Sequence, residues 1–396
     1  MKVDFQKDSL TIFLEGRIDS NNAAETEEQI TGLVSRNPDG SKVIIDAENL
    51  EYISSAGLRV LLKVRKQLNK PLPVINVSNE VYETFSVTGF TELLDVHKKM
   101  REISLEGCEL LGEGGNGEVY RLTKDEMIKL YKYGVSLDSV EAEREASRKA
   151  FLLGVPCAIA FDTVKCGDSY GTIFEMFNAG TLSERIIENH ERLPEFAKAS
   201  AILLKQLHSI EIPEGQMPKA SRLIHNTIDK MYPAFSADEI EKMHALYNTI
   251  PEQNHFIHND YHPKNIMESN GELMLIDLGD AGMGNPVIDL IHSYFVMNSV
   301  GEAQRRSDDD VGFFGLTYRD MREFWEILID TYFEGDKEKI KSVEEKLKPF
   351  AEFMHLTAAL THPLMRDSKY KEIYTNELRN EILPRFDELV KFTWEM

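Results

Sequence analysis

The spacing of apolar positions divides the chain into two unlike parts. Up to about Asp95, short apolar runs alternate with stretches of helical period. Residues 10–15, 43–46 and 74–77 read as strands, and residues 23–35, 56–68 and 80–87 as helices. That order describes a small α/β domain over residues 1–97. Residues 98–107 are charged, weakly patterned and closed by Gly107, which predicts a linker. Beyond it, residues 109–131 alternate as antiparallel strands do, and from about Leu182 the pattern turns mostly helical. A small β-rich lobe (108–177) thus precedes a larger helical one (178–396), an α+β arrangement in a multidomain chain.

Length and composition agree with this division. The 396 residues exceed what one hydrophobic core usually serves, and 42% hydrophobic content supports packed structure throughout. There is no run of about 18 apolar residues and no basic-then-apolar leader, so no membrane span or secretory signal is expected. A cytoplasmic location follows as the expectation. The three cysteines, Cys108, Cys157 and Cys166, lack metal-ligand spacing and read as reduced packing residues. A net charge of -22 argues against a nucleic-acid partner, because phosphate backbones select for excess Lys and Arg. The acidic excess lies mainly beyond residue 107, where 50 Asp/Glu face 32 Lys/Arg. Such a surface can concentrate cationic substrates, although solubility alone accounts for it too.

Three segments carry candidate chemistry. In the first domain, Ser54 and Ser55 sit where a helix N-cap belongs, just before the apolar helix from Ala56. A hydroxyl there faces unpaired backbone N–H groups, which suits simple capping and would equally stabilise a phosphate. The second part opens with Gly112-x-Gly114-x-x-Gly117. A dinucleotide fold uses the same spacing but needs a helix to open inside the motif, whereas here Glu118-Val-Tyr-Arg-Leu continues as a strand. A β-hairpin whose glycines let backbone amides approach phosphates fits better. The third segment runs His258-Asn-Asp260-Tyr-His262-Pro-Lys-Asn265, then a strand-sized interval, then Asp277-Leu-Gly-Asp280.

The spacing His258-x-Asp260-x-x-x-x-Asn265 followed by Asp277, after a glycine loop and Lys129 in that order, resembles the protein kinase superfamily. His262, two positions after Asp260, replaces the Lys common in Ser/Thr protein kinases, and nothing like Ala-Pro-Glu follows. Residues 108–396 therefore look like the aminoglycoside phosphotransferase and choline kinase group. The resemblance implies an ATP- and Mg²⁺-dependent phosphotransferase acting on an alcohol. Asp260 would be the catalytic base, Asn265 and Asp277 the metal ligands, and Gly112, Gly114, Gly117 and Lys129 the triphosphate grip. Glu145, on a helix predicted over 140–152 that also offers Glu141 and Glu143, best matches the family register for the partner of Lys129. Glu175 and Phe177 resemble the hinge that binds adenine. His258, His262 and Asp289 would brace the loop, and Asp280 is either a turn cap or a further contact. A cationic alcohol lying between Asp280 and the run at Asp308 would suit those carboxylates.

Residues 1 to about 97 resemble a STAS domain, the fold of bacterial anti-sigma factor antagonists, through Ser54-Ser55-Ala56-Gly57-Leu58. The family places its phosphoacceptor at Ser55, and Ser54 stands where an Asp is usual. Three functions are compatible with the two resemblances. One is a small-molecule kinase with a STAS regulatory or interaction domain that docks a signalling protein. Another is a protein serine kinase whose acceptor is Ser55 or a partner's serine. The third is a scaffold that binds ATP without turnover.

Overall fold

In the computed structural model, residues 2–6, 9–37, 42–114, 117–177, 180–269, 271–299, 307–312, 314–361, 370–392 and 394 are described. Gly115 and Asn116 of the glycine loop, and Asn178 and Ala179 after the hinge, lie outside them. The chain forms two compact units, Met1–Ile103 and Ser104–Met396.

The first unit is a five-stranded sheet in the order β1 (Lys2–Gln6), β2 (Ser9–Ile18), β3 (Lys42–Ile53), β4 (Pro73–Val77), β5 (Asp95–Lys98). β1 pairs antiparallel with β2, and the remaining pairs are parallel. Parallel neighbours need crossovers, which are supplied by α1 (Ala23–Arg36), α2 (Ser55–Leu68) and α3 (Asn79–Val87). Leu10, Ile12 and Leu14 alternate into the core along β2, where Ile45, Val64 and Phe85 meet them. All six expected elements are present. β1 and β5 are additional: their positions are mostly exposed, so they carry no strong apolar signal.

The expected linker is shorter than the sequence suggests. Lys98 ends β5, and Arg101–Glu102 forms a further short strand, β6. The hydrophobic pattern missed both because two to four exposed residues have no period to read.

In the second unit, the strands Glu109–Glu113, Gly117–Arg121 and Glu126–Tyr131 form an antiparallel meander, and Ser169–Glu175 and Ala160–Cys166 extend it from the Glu126–Tyr131 side. Helix α4 (Leu137–Leu152) packs on this sheet. The remainder is helical, with its core centred on Phe256, Tyr261, Leu290, Phe324 and Trp325. Two small ladders interrupt the helices. His255–Ile257 pairs with Gly282–Gly284, and Ile266–Ser269 pairs with Glu272–Leu275. They hold the two ends of the candidate site, because the Asp260 loop leaves the first ladder and the Asp277 turn follows the second. Among the described residues, no helix is long and apolar enough to cross a membrane.

Candidate active site

The loop from His258 to Asn265 is braced from below by one carboxylate. Asp289 lies in α9 (Val287–Tyr294), the ninth α-helix among the described residues, and is 0% exposed. Its oxygens accept the backbone N–H of His258 (2.9 Å) and of Asn259 (2.6 Å) and the Nε2 of His208 (3.1 Å). Burial works against its ionisation, but those donors more than offset it and hold the carboxyl below its ordinary range. Asn259 can then take the left-handed conformation (φ 68°) that turns the loop, which Asn tolerates better than most residues. His258 serves the same frame: its Nε2 donates to the Ile276 carbonyl at 3.2 Å, and its Nδ1 accepts from the Asp260 N–H at 3.3 Å. These contacts tie the loop to the segment just before Asp277.

Asp260 is held on both oxygens. Asn265 Nδ2 donates to Oδ2 at 2.8 Å and to the Asp260 carbonyl at 3.0 Å. His262 Nε2 lies 3.3 Å from Oδ1 and His292 Nε2 3.5 Å. Burial would raise the carboxyl, but the imidazoles of His262, His292 and His258 outweigh it and hold Asp260 well below the usual carboxylate range. His262 is itself fixed by stacking on Phe314, with ring centroids 4.3 Å apart.

Lys129 reaches the same cleft from the sheet. Its Nζ donates to Glu143 Oε1 at 2.7 Å and to Asp277 Oδ1 at 3.0 Å. Burial opposes its charge, yet the carboxylates of Asp277 and Glu143 dominate and raise the ammonium above its ordinary value. The partner of Lys129 is therefore Glu143, not Glu145, which pairs along the helix surface with Arg148 at 2.9 Å. Two positions on an α-helix are turned by about 200°, so only one of these glutamates can face the lysine. The signal was present in the sequence. Val140, Glu143, Ser147 and Ala150 follow the 3-4-3 spacing of the inward stripe, and three of them are buried.

The glycine segment forms the expected hairpin, with Gly114 N–H donating to the Gly117 carbonyl at 2.8 Å. A Cβ on Gly117 would lie 2.1 Å from the Leu130 carbonyl oxygen, so the close strand approach requires glycine. Gly112 and Gly114 are exposed at the hairpin end. Glu175 ends its strand half-buried, and burial raises its carboxyl. Its neighbour Met176 donates its backbone N–H to the Asp125 carbonyl at 2.9 Å, and Phe177 packs against the Ala158, Ala160 and Phe174 cluster. That apolar shelf could hold a flat base.

Hard oxygens for a cation come from Asn265 and Asp277. Asn265 spends its Nδ2 on Asp260, which leaves its amide oxygen for a ligand. Asp277 stands in a left-handed conformation (φ 58°) at the head of the turn Leu278–Asp280. No cluster of three or more His, Cys, Asp or Glu suited to a metal occurs among the described residues. These two oxygens could serve a cation such as Mg²⁺, which keeps waters and substrate phosphates as its other ligands. Asp280 is exposed at the end of the turn, yet desolvation, then Asp260 and Asp277, raises its carboxyl. Arg222 is the nearby counter-charge, and it donates to the Gly279 carbonyl at 3.5 Å.

Beyond the cleft, the acidic run is partly paired. Asp308 pairs with Arg322, Asp309 with Arg319 at 2.9 Å, and Asp310 accepts the Ser307 N–H at 3.0 Å. Two of the three carboxylates at the expected cationic contact thus pair with arginines of the next helix. The cysteines are free thiols, and burial pushes Cys157 up to about 12, which leaves it no thiolate chemistry at neutral pH.

In the first unit, Ser54 is the N-cap of α2, and its Oγ accepts from the N–H groups of Ala56 (3.2 Å) and Gly57 (3.5 Å). Ser55 is the first helical residue and is exposed. The two serines thus have separate positions, one spent on capping and the other open.

A profile described as "Phosphotransferase enzyme family" matches residues 107–324, more than half of the chain. The chain belongs to that family. Residues 1–103 match the STAS domain, so a STAS domain precedes the phosphotransferase domain. The STAS segment is 36% identical over 86 residues to a putative anti-sigma factor antagonist, BtrV, of Bordetella bronchiseptica, covering 21% of this chain and 72% of that protein. Among solved structures, an ADP-bound aminoglycoside phosphotransferase, APH(2'')-Ib, is similar at 17% identity with a TM-score of 0.46, covering 80% of this chain and 97% of the other. A choline/ethanolamine kinase family protein from Mesorhizobium loti is similar at 15% identity and a TM-score of 0.42, covering 72% and 88%.

Proposed function

We propose that the phosphotransferase domain moves the γ-phosphoryl group of ATP, with Mg²⁺, to a hydroxyl of a small molecule in the cytoplasm, and that the STAS domain docks a signalling partner. One observation carries the reading. Lys129, the loop that holds both Asp260 and Asn265, and Asp277 come from three separate segments: Lys129 bonds Asp277 at 3.0 Å, Asn265 bonds Asp260 at 2.8 Å, and the charges of Asp260 and Asp277 both act on Asp280. Asp260 orients the acceptor hydroxyl and takes its proton as the O–P bond forms. Lys129, kept charged by Glu143, exchanges Asp277 for the α- and β-phosphates when nucleotide binds. The N–H groups of the Gly112–Gly117 hairpin line the triphosphate, and the shelf at Glu175 and Phe177 receives the base. Asn265 and Asp277 would hold Mg²⁺, which would offset charge on the phosphoryl oxygens.

A second reading is favoured by one feature, the exposed Ser55 hydroxyl at the start of α2. In that reading the acceptor is a STAS serine, in this chain or in a partner, and the enzyme is a protein kinase. Incubation of the full chain with γ-labelled ATP and Mg²⁺, with and without a panel of alcohols, separates the readings when Asp260→Ala and Ser55→Ala run alongside. Label on an alcohol that disappears with Asp260→Ala supports the first. Label on the protein that disappears in both variants supports the second. ATP binding with no transfer of label to any acceptor refutes both and leaves a scaffold.

A further inference from the structure

Helix α9 presents a second side chain to the catalytic loop that no motif accounts for. His292 lies three positions after Asp289, so both leave the same face of the helix. One holds the loop backbone and the other reaches the loop's carboxylate, with Nε2 3.5 Å from Asp260 Oδ1. His262 Nε2 approaches the same oxygen at 3.3 Å, while Asn265 Nδ2 takes Oδ2 at 2.8 Å. The His292 ring meets Asp260 through Nε2, while its Nδ1 is buried without a hydrogen-bond partner. Its aromatic neighbour is the edge of Phe295, with centroids 5.7 Å apart. Packing alone does not explain an imidazole here. An apolar side chain would fill the space without leaving a buried nitrogen unpaired.

We infer that His292 is a positioning residue of the phosphotransfer centre, acting with His262 to hold the Asp260 carboxylate so that Oδ2 stays on Asn265 and its open side faces the acceptor. An ionised carboxylate only accepts hydrogen bonds, so each imidazole presents an Nε2–H to it. Burial holds His292 below the usual histidine range against the opposing pull of Asp260. The exposures fit a clamp closed from inside the lobe. The Asp260 side chain is 33% exposed, whereas those of His262 and His292 are 7% and 15% exposed. With donors on both oxygens, rotation of the carboxylate breaks at least one contact, so the proton-accepting direction is set before the acceptor arrives. Only the kinetic consequence of this inference rests on the phosphotransfer reading.

Two measurements on the full chain test it. In long-range ¹H–¹⁵N spectra of ring-labelled histidine, His292 and His262 are expected as Nε2–H tautomers, and Asp260→Ala moves the His292 signals whereas Glu145→Ala does not. His292 signals that ignore Asp260→Ala overturn the inference. In the second measurement, Mg²⁺–ATP is turned over with water as acceptor. His292→Phe is expected to lower kcat about ten- to a hundredfold, the scale of a misplacement of about 1 Å, with KM for ATP unchanged. His292→Gln, which keeps an N–H, recovers part of the loss. Wild-type turnover in His292→Phe, or equal losses in Phe and Gln with lowered melting temperatures, overturns the inference. A wild-type chain that turns over no ATP with water or with any of the alcohol panel defeats the phosphotransfer reading instead, and the ring spectra then decide the clamp by themselves.

Discussion

Replacing Asp289 by Asn tests whether one buried carboxylate sets the catalytic loop. The Asn amide oxygen can occupy the position of Oδ2 and keep His258 N–H and His208 Nε2, but its NH₂ then faces the Asn259 N–H, now bonded at 2.6 Å. That bond is lost outright, at about 1.5–3 kcal/mol for one made to a charged acceptor. The two surviving bonds fall from charge-assisted to neutral strength, for about another 1 kcal/mol in total. The opposite flip loses two bonds and is costlier, so the expected destabilisation is about 3 kcal/mol. Urea unfolding followed by tryptophan fluorescence reads this unit selectively, because both tryptophans, Trp325 and Trp394, lie in it. With a denaturant slope of about 3 kcal/mol/M for a domain of this size, the midpoint falls by about 1 M. ATP affinity should stay within about twofold, because Lys129 and the glycine hairpin belong to the other lobe, while turnover collapses. A midpoint shift below about 0.3 M, or an unaltered turnover rate, would refute the bracing role.

Other substitutions give equally definite outcomes. Glu143→Ala removes a contact between side chains only 13% and 16% exposed but leaves Lys129 its bond to Asp277, so a loss of about 1–3 kcal/mol is expected, or about ten- to a hundredfold in kcat/KM for ATP. Glu145→Ala breaks only a surface i,i+3 pair, worth about 0.5 kcal/mol or less, and steady-state kinetics of the two variants should differ accordingly. Gly57→Val places a Cβ 2.7 Å from Ile53 and 2.8 Å from Ile18, with the Ile18 carbonyl oxygen at 3.1 Å. It should destabilise the STAS unit by about 1–3 kcal/mol, read by hydrogen exchange at α2 with the second unit unchanged. Arg379 holds the Glu239 carboxyl down to about 2 from an ordinary 4.5. A depressed carboxylate contributes stability that is complete above its unfolded value and disappears as pH falls through its folded one. Acid unfolding between about pH 4.5 and 2 should therefore be shallower in Arg379→Ala, as followed by circular dichroism.

The fold was legible wherever a period ran long enough. The α1 and α2 stripes and the alternation in β2 extend over ten or more residues, and their boundaries hold to within a few positions. β1, β5 and β6 were not legible, because exposed strands of two to five residues carry no apolar period and depend on neighbours supplied by tertiary structure. Asp260, Asn265 and Asp277 could be singled out as candidates because their spacing along the chain is local and fixed. The partner of Lys129 could not be read from family register alone, which pointed to Glu145. The inward stripe through Val140 and Ala150 points to Glu143. His292 was invisible for a different reason: its meaning lies in a contact across 32 positions of sequence with Asp260, and nothing local marks it.

The account's central claim is that Asp260 accepts the proton of an alcohol during phosphoryl transfer from ATP. Its most direct test is the rate of ADP release from Mg²⁺–ATP by the full chain and by Asp260→Asn, each measured against a panel of hydroxyl compounds with ATP affinity measured in parallel. The account predicts acceptor-dependent turnover with at least one compound, reduced about 10²- to 10⁴-fold in the variant while ATP binds as before. Acceptor-dependent turnover that persists in Asp260→Asn would contradict it.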